Sequence, residues 1–271
     1  MSRNSKRPLG VIFYQGTSLL DGKPIVGIAT FKTSNEKTGN LIQTWILRSD
    51  VHPVEAINTG DDFAICGDCP MRGILMKAAE SKYKSERKIQ GQNETVNRGR
   101  ACYVAVANAP RGIYVAYQNG RYPVYDATEH SRWFKRRGLR MGSYGDPVAI
   151  PLSSWGELWA VCGKQRPGYT HQWRTCDQEW SKYIMASTHS VAELDCARSA
   201  GWRSFRTRLD TDELADNEIV CPASEEGDYQ ETCESCGACN GGSVDKASVA
   251  IIGHGARAKL PSVKRVIAEA S

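Results

Sequence analysis

The first apolar runs of the chain predict a β-hairpin followed by a longer strand. Residues 11–14 and 25–31 are rich in β-branched and aromatic side chains, and residues 21–24, Asp-Gly-Lys-Pro, supply a turn between them. The run at 41–47, LIQTWIL, is strongly strand-like. A loop is predicted at 48–70 and a helix at 71–84.

After residue 100, strand-like and helix-like runs alternate. Strands are predicted at 102–107, 139–144, 168–172, 183–187, 202–209, 218–221 and 248–253, and helices at 113–118, 130–137, 155–162, 191–200 and 261–270. Such alternation is typical of βα units around a mainly parallel sheet, and roughly six to eight units fit. The predicted fold is therefore α/β, a complete or partial (β/α) barrel with mainly parallel strands and cysteine-rich loops. An open doubly wound sheet is the alternative.

These runs divide the chain into two parts. Residues 1–38 form a β-rich amino-terminal extension, and residues 39–271 form a cysteine-rich α/β metal-binding domain. The composition is that of an ordinary globular protein, with 41% hydrophobic and 24% charged residues. No apolar run approaches the roughly 18 residues of a membrane span, and the amino terminus lacks a convincing signal-peptide cleavage site. We expect a soluble cytoplasmic protein with no membrane partner.

Charge is unevenly distributed around a net charge of +5. Residues 210–234 hold ten carboxylates and no Lys or Arg, whereas residues 132–140 hold five basic residues and no acid. The basic residues are Arg132, Lys135, Arg136, Arg137 and Arg140. With Trp133 and Phe134 among them, they are compatible with contacts to the phosphates and bases of a nucleic acid. A solvated helix face is the alternative.

Four cysteines near the carboxyl end give the strongest chemical signal. They are Cys221, Cys233, Cys236 and Cys239, and the last three are separated by two-residue gaps. Since cytosolic thiols stay reduced, clustered cysteines there favour metal binding over disulfides. Four thiolates suit an iron–sulfur cluster and a closed zinc site equally well.

An earlier cysteine group consists of Cys66, Cys69 and Cys102. The first two belong to the run Cys-Gly-Asp-Cys-Pro in the loop after the first strong strand. Three thiolates leave one metal position open, which a catalytic cluster or a catalytic zinc requires. We expect the three thiols to converge on a second metal site. The alternative is a structural Cys-x-x-Cys turn, with Cys102 buried in a strand.

Polar residues at predicted strand ends complete the candidate site. Asp146, His171 and His254 should border one cavity together with the Cys66–Cys69 loop, because loops after parallel strands meet at one face. His171 and His254 are the candidate catalytic residues, since histidine exchanges protons near neutral pH. The candidate cofactor-binding residues are Gly142, Ser143, Gly145 and Asp146. Plain turns and capped strand ends are the alternatives.

The motifs occur in the order ICGDCP, CYV, GSYGDP, GYTHQWR, MAST, GWRSFR, CPAS, CESCGAC and HG. This order resembles a family of uncharacterised bacteriophage proteins distantly similar to the phage "gene product eighty-eight" family, over residues 39–255. The layout is similar to that of radical S-adenosylmethionine barrels, which have an early three-cysteine cluster, βα repeats and a carboxyl-terminal auxiliary cluster. This chain departs from that layout in two respects. Cys69 and Cys102 are 33 positions apart, and no Gly-Gly-Glu follows the second strand.

The resemblance implies an iron–sulfur enzyme of the infected host's cytoplasm. Its cofactors would be one or two iron–sulfur clusters, or zinc, with S-adenosylmethionine as a further candidate. Two other functions stay open from the residues alone. One is a zinc-stabilised, nucleic-acid-associated protein without catalysis, and the other is a phage factor that binds a host protein. The sequence predicts neither the substrate nor the oligomeric state.

Overall fold

The computed structural model describes residues 7–77, 95–253 and 259–270. Its strands are β1 (Gly10–Thr17), β2 (Pro24–Thr30), β3 (Ile42–Arg48), β4 (Ile74–Lys77), β5 (Thr95–Arg98), β6 (Leu139–Tyr144), β7 (Tyr169–Thr170), β8 (Met185–Thr188), β9 (Ser204–Arg208), β10 (Glu218–Val220) and β11 (Ser248–Ile252). Its α-helices are α1 (Pro53–Thr59), α2 (Phe63–Cys66), α3 (Ala109–Gln118), α4 (Ala127–Phe134), α5 (Leu152–Trp159), α6 (Val191–Ser199), α7 (Cys233–Cys236) and α8 (Leu260–Ala270). None of the helices in these ranges combines the length and the apolar character needed to cross a bilayer.

The first sheet has the strand order β1-β2-β3-β6. The β1–β2 hairpin is antiparallel, β2 pairs antiparallel with β3, and β3 pairs parallel with β6. Every residue of β2 after Pro24 is buried, which explains its continuous apolar sequence. The boundary predicted between residues 38 and 39 falls between β2 and β3, which are hydrogen-bonded neighbours in this sheet.

The second sheet is parallel throughout and has the strand order β10-β11-β9-β8-β7. Helix α6 makes the crossover from β8 to β9, as a parallel pair requires. It starts where the Ser190 side chain accepts a hydrogen bond from the amide of Glu193, at 3.1 Å. The predicted mixed α/β fold with parallel strands is confirmed.

Backbone hydrogen bonds join the two sheets along β6. The amides of Leu139 and Met141 donate to the carbonyls of Gln165 and Pro167, at 2.8 and 2.9 Å, in the segment that leads into β7. The parallel strands therefore follow one another in the order β3, β6, β7, β8, β9, β11 and β10. No pairing among the described strands closes this series into a ring, so a complete barrel is absent from the described part of the chain.

Two predicted elements between residues 70 and 107 are wrong over the described residues. Instead of a helix, one 3-10 turn at Pro70–Arg72 precedes β4, and residues 78–84 lie outside the described ranges. The run Ile-Leu-Met-Lys pairs with β5 and leaves Ile74 57% exposed. Residues 102–107 form a loop and no strand, because they have no ladder partner.

Candidate functional site

A cavity of about 370 Å³ lies against one face of the parallel strands. Five strands, β6 to β9 and β11, contribute side chains to its wall, which include Arg140, Tyr169, Ser187, Phe205 and Ile251. Both cysteine groups also border it. The cysteines on the wall are Cys69, Cys102, Cys221, Cys233, Cys236 and Cys239.

The first two cysteines sit on a tight turn at the end of α2. Cys66 is the last residue of this helix, and the amide of Cys69 donates to its carbonyl at 3.2 Å. Gly67 has a φ of 52°, and a Cβ there would lie 2.6 Å from the Gln172 side chain, so glycine is required. That Gln172 amide donates to the carbonyl of Cys66 at 3.2 Å. The loop after β3 is thus braced against the loop after β7.

Cys102 is brought to the same place by the pairing of β4 with β5. Strands β4 and β5 pair antiparallel from Ile74 opposite Arg98 to Lys77 opposite Thr95, which returns the chain to its starting point. The amide of Cys102 then donates to the carbonyl of Met71 at 2.9 Å. The 33 positions between Cys69 and Cys102 therefore do not separate them in space.

The three early thiols influence one another electrostatically. Burial raises the pKa of Cys66 well above its usual value, and the Asp62 carboxylate and the Cys69 and Cys102 thiols add to this. Burial also raises the pKa of Cys69, and Cys102 is the next largest cause. Burial and the neighbouring thiols therefore favour the neutral form of the Cys66 and Cys69 thiols.

A buried ion pair supports the early group from behind. The Asp62 carboxylate is fully buried and pairs with Arg72 at 2.5 Å and with Arg100 at 3.4 Å. Arg72 also donates to the carbonyls of Gly60 and Gly67, at 2.9 and 3.0 Å. These bonds fix both ends of the α2 segment, so the cysteine turn has a rigid support.

Two buried donors near the early cysteines lack an acceptor among the described residues. They are Nη2 of Arg100 and the hydroxyl of Tyr144. Burial raises the pKa of Tyr144, and Cys66 and the Arg100 guanidinium also act on it electrostatically. Buried polar groups normally have partners, and N–H and O–H donors suit anionic sulfur. Arg100 and Tyr144 therefore each leave one buried donor unused beside the early cysteines.

The late cysteines are held by a short helix and an arginine. Helix α7 begins with a capping box. The Ser235 amide donates a hydrogen bond to the Thr232 hydroxyl at 3.3 Å, and the Thr232 amide donates one to the Ser235 hydroxyl at 3.0 Å. The Arg203 guanidinium donates to the carbonyls of Ala238, Asn240 and Ala247 at 2.5 to 3.2 Å. This bonding fixes the loop that carries Cys239.

The four late thiols are also mutual neighbours. Burial raises the pKa of Cys239 to about 12, and the thiols of Cys221, Cys233 and Cys236 contribute. Within the described ranges, however, no three Cys, His, Asp or Glu side chains are positioned to hold a metal ion directly. Convergence of either group on a metal therefore stays a prediction, whereas both groups do share one cavity.

Two stacked imidazoles border the cavity beside Cys69. Nε2 of His171 lies 3.1 Å from Nε2 of His189 and 3.9 Å from Sγ of Cys69. Burial lowers the pKa of His171 to about 3 and that of His189 to about 4. At neutral pH both rings are therefore uncharged, and one Nε2–H donates to the other Nε2. His189 was not among the predicted site residues, although it follows β8 as His171 follows β7. His254 lies outside the described residues.

Asp146 does not border the cavity, contrary to the sequence-based expectation. Its carboxylate accepts hydrogen bonds from the amides of Val148 and His171, at 3.2 and 3.0 Å, and from the Thr170 hydroxyl at 3.0 Å. A further bond comes from the Gln172 side chain. These four bonds occupy the carboxylate and tie the end of β6 to the end of β7, so its observed contacts are internal.

The turn before Asp146 is shaped by packing. Gly145 has a φ of 87°, and a Cβ there would lie 2.7 Å from the Cβ of Ile46. A Cβ at Gly142 would lie 2.5 Å from the carbonyl oxygen of Gly145. Ser143 turns away from the cysteines and donates its hydroxyl to Oε1 of Gln43 at 2.8 Å. Close backbone contact explains both glycines without a ligand.

The basic segment is only partly exposed. Arg132, Lys135 and Arg136 are exposed, whereas Arg137 donates to the carbonyls of Phe31 and Asn40. Arg140 points into the cavity. Phe134 is fully buried, with its ring centroid 5.1 Å from that of Phe31. Because the segment divides between core, cavity and surface, its five cations do not form one exposed patch.

Comparison of the chain with protein-family models, with curated proteins and with solved structures finds no match.

Proposed function

We propose that the chain is an iron–sulfur enzyme that acts on a small molecule in the cavity between its two cysteine groups. The observation that carries this proposal is that six cysteines and two uncharged histidines border one cavity of about 370 Å³. A volume in this range is typical of small-molecule sites. Thiols gathered from both halves of the chain around one such space favour metal chemistry there over scattered structural roles.

In this proposal Cys66, Cys69 and Cys102 hold the catalytic group. Three thiolates leave one coordination position for a ligand. The buried donors of Arg100 and Tyr144, which have no partner among the described residues, would donate to the anionic sulfur. Such a cluster supplies electron-transfer chemistry, and with S-adenosylmethionine it supplies radical chemistry. The series of parallel strands from β3 to β10 would correspond to a partial (β/α) barrel, with the early cysteines in the loop after its first strand.

The late group would hold a second metal centre. Cys221, Cys233, Cys236 and Cys239 supply four thiolates, which complete a cubane or a closed zinc site without an open position. Its place on the wall of the same cavity suits an auxiliary role, such as relaying electrons or fixing the wall. We place the protein in the cytoplasm of an infected host cell, where reducing conditions keep all these thiols available.

The two histidines would position the substrate. Their low pKa values favour uncharged rings that donate and accept hydrogen bonds at the cavity wall. Because His171 and His189 share one hydrogen between their Nε2 atoms, a ligand that bonds to either ring selects the tautomer of the other. The pair can thereby follow a change in the ligand's protonation without becoming charged.

Metal analysis of protein purified without air tests the proposal. We expect brown protein with iron and acid-labile sulfide in equal amounts, up to about eight of each per chain for two cubanes. The Cys69→Ser variant should lose part of the iron, while Cys196→Ser, which changes an exposed cysteine outside both groups, should lose none. Colourless protein with zinc, or with no metal, would contradict the proposal and favour a structural role for the cysteines.

A further inference from the structure

A second cavity, of about 490 Å³, adjoins the cysteine-lined one. The two cavities share three wall residues, Asn35, Tyr103 and Arg140. Nη2 of Arg140 donates to the Tyr103 hydroxyl at 3.0 Å, and its guanidinium lies 6.0 Å from the centroid of the Tyr169 ring. The Tyr103–Arg140 pair therefore forms the boundary between the two spaces, and Arg140 is accessible from both.

The wall of the second cavity is cationic. Lys32 and Arg140 line it, and no Asp or Glu does. Neither cation has a carboxylate within ion-pair distance among the described residues. An arginine in a cavity wall without a carboxylate partner is an uncompensated positive charge, and it fits a bound anion. Asn108 to Pro110, the start of helix α3, also lie at this wall, and the positive end of the helix adds to the same potential.

The remaining wall combines aromatic rings with short polar side chains. Trp45 and Tyr122 provide flat apolar surface, and the Trp45 indole is held by donating to the Thr30 hydroxyl at 2.9 Å. Thr33, Ser34 and Gln43 add hydroxyl and amide groups. Aromatic faces, hydrogen-bonding groups and two cations together match a ligand with a planar ring, hydroxyls and a negative charge.

We infer that the second cavity binds a mononucleotide, with its base against Trp45 and its phosphate toward Lys32 and Arg140. The phosphate end would then lie at the boundary with the cysteine-lined cavity. This inference rests on the proposed function, because it names the substrate class for that enzyme. The binding step itself needs no metal, so the two can be tested separately.

Calorimetric titration of the anaerobically purified protein tests the inference. The probes are AMP, GMP, CMP and UMP, each compared with its nucleoside. We expect at least one mononucleotide to bind, and its nucleoside to bind about tenfold more weakly or worse, because the nucleoside lacks the phosphate that forms charge-assisted hydrogen bonds. Arg140→Gln should weaken nucleotide binding by at least about tenfold, and Lys32→Gln should weaken it in the same direction. The control Lys135→Gln, an exposed cation outside both cavities, should leave the Kd unchanged.

Three results would overturn the inference. These are no binding of any mononucleotide, equal binding of nucleotide and nucleoside, and wild-type affinity in the Lys32→Gln and Arg140→Gln variants. Because Lys32 is exposed, its variant decides the matter even if Arg140→Gln fails to fold. Iron analysis of the same samples separates the two proposals. Iron-loaded protein without nucleotide binding overturns only this inference, and metal-free protein that binds a nucleotide overturns only the iron–sulfur function.

Discussion

Cys69 and Cys102 border the same cavity although 33 residues separate them in the sequence. The antiparallel pair β4–β5 leads the chain away and back, and the amide of Cys102 is then fixed to the carbonyl of Met71. A widely spaced third cysteine is therefore compatible with a three-thiol group. In this chain the pairing of β4 with β5 brings Cys102 to the cavity wall that Cys69 also borders.

Removing the Tyr144 hydroxyl should change the early metal group without harming the fold. In the iron–sulfur account this buried hydroxyl donates to cluster sulfur, and such bonds raise the reduction potential. Tyr144→Phe should therefore keep the iron and shift the potential of the early cluster to a more negative value, measured by a redox titration followed by electron paramagnetic resonance. Tyr125→Phe is the matched control. Its hydroxyl is also buried without a partner among the described residues, and the causes that raise its pKa, burial first, include no cysteine of either group. An unchanged potential, or an equal shift in both variants, would contradict the assignment.

Asp146 should make the stability of the protein depend on pH below neutrality. Burial raises the pKa of this carboxyl to about 6, against an ordinary value near 4. Between about pH 4 and pH 6 the unfolded chain releases the proton and the folded chain keeps it. The contribution of Asp146 to the free energy of unfolding therefore falls as the pH rises through this window, by at most about 3 kcal/mol.

Urea unfolding of wild type and Asp146→Asn at several pH values measures this contribution. The wild-type free energy of unfolding minus that of the variant should decrease from pH 4 to pH 6 and then stay constant, since Asn does not titrate. Parallel curves for the two proteins would show that the carboxyl titrates normally. The internal contacts of Asp146 would then have to be reconsidered.

The buried ion pair between β9 and β10 should matter more for stability than any surface pair. Arg206 donates to both oxygens of Glu218, at 3.0 and 2.6 Å, and both side chains are almost fully buried. Glu218→Gln leaves the arginine charge without a counter-ion and should cost about 3 kcal/mol. The same substitution in the exposed Arg265–Glu269 pair, Glu269→Gln, should cost less than about 1 kcal/mol. Chemical denaturation measures both, and equal losses would refute the comparison.

The sequence predicted those parts of the fold that depend on local pattern. Strand β6 matches its predicted bounds, because its buried residues Leu139 and Met141 alternate with the partly buried Arg140 and Gly142, a period of two that is visible in the sequence. Strand β4 was mistaken for part of a helix, since Ile74 and Leu75 are apolar but exposed and their pairing partner β5 follows a 17-residue stretch, 78–94, that is not described. Pairing at that distance leaves no local signal.

The candidate site shows the same division. Residue type alone identified the cysteine groups and His171, because those side chains carry recognisable chemistry. The positions of Asp146 and Arg140 depend on which side chains the fold buries, and the sequence does not reveal this. Asp146 was expected at the cavity, but its four internal hydrogen bonds depend on how the loops after β6 and β7 meet, which no spacing reveals. Arg140 was predicted to belong to a basic surface segment. It lies on β6, and its side chain enters the cavity.

The central claim is that Cys66, Cys69 and Cys102 hold one metal group. Its most direct test is the iron and sulfide content of protein purified without air, compared for Cys69→Ser, Cys102→Ser, the double variant of these two, Cys236→Ser and the control Cys196→Ser. The account predicts that Cys69→Ser and Cys102→Ser lose the same part of the iron, that the double variant loses no more than either, and that Cys236→Ser loses a different part. Full iron in Cys102→Ser beside a loss in Cys69→Ser would contradict it, because Cys102 would then lie outside the metal-binding group.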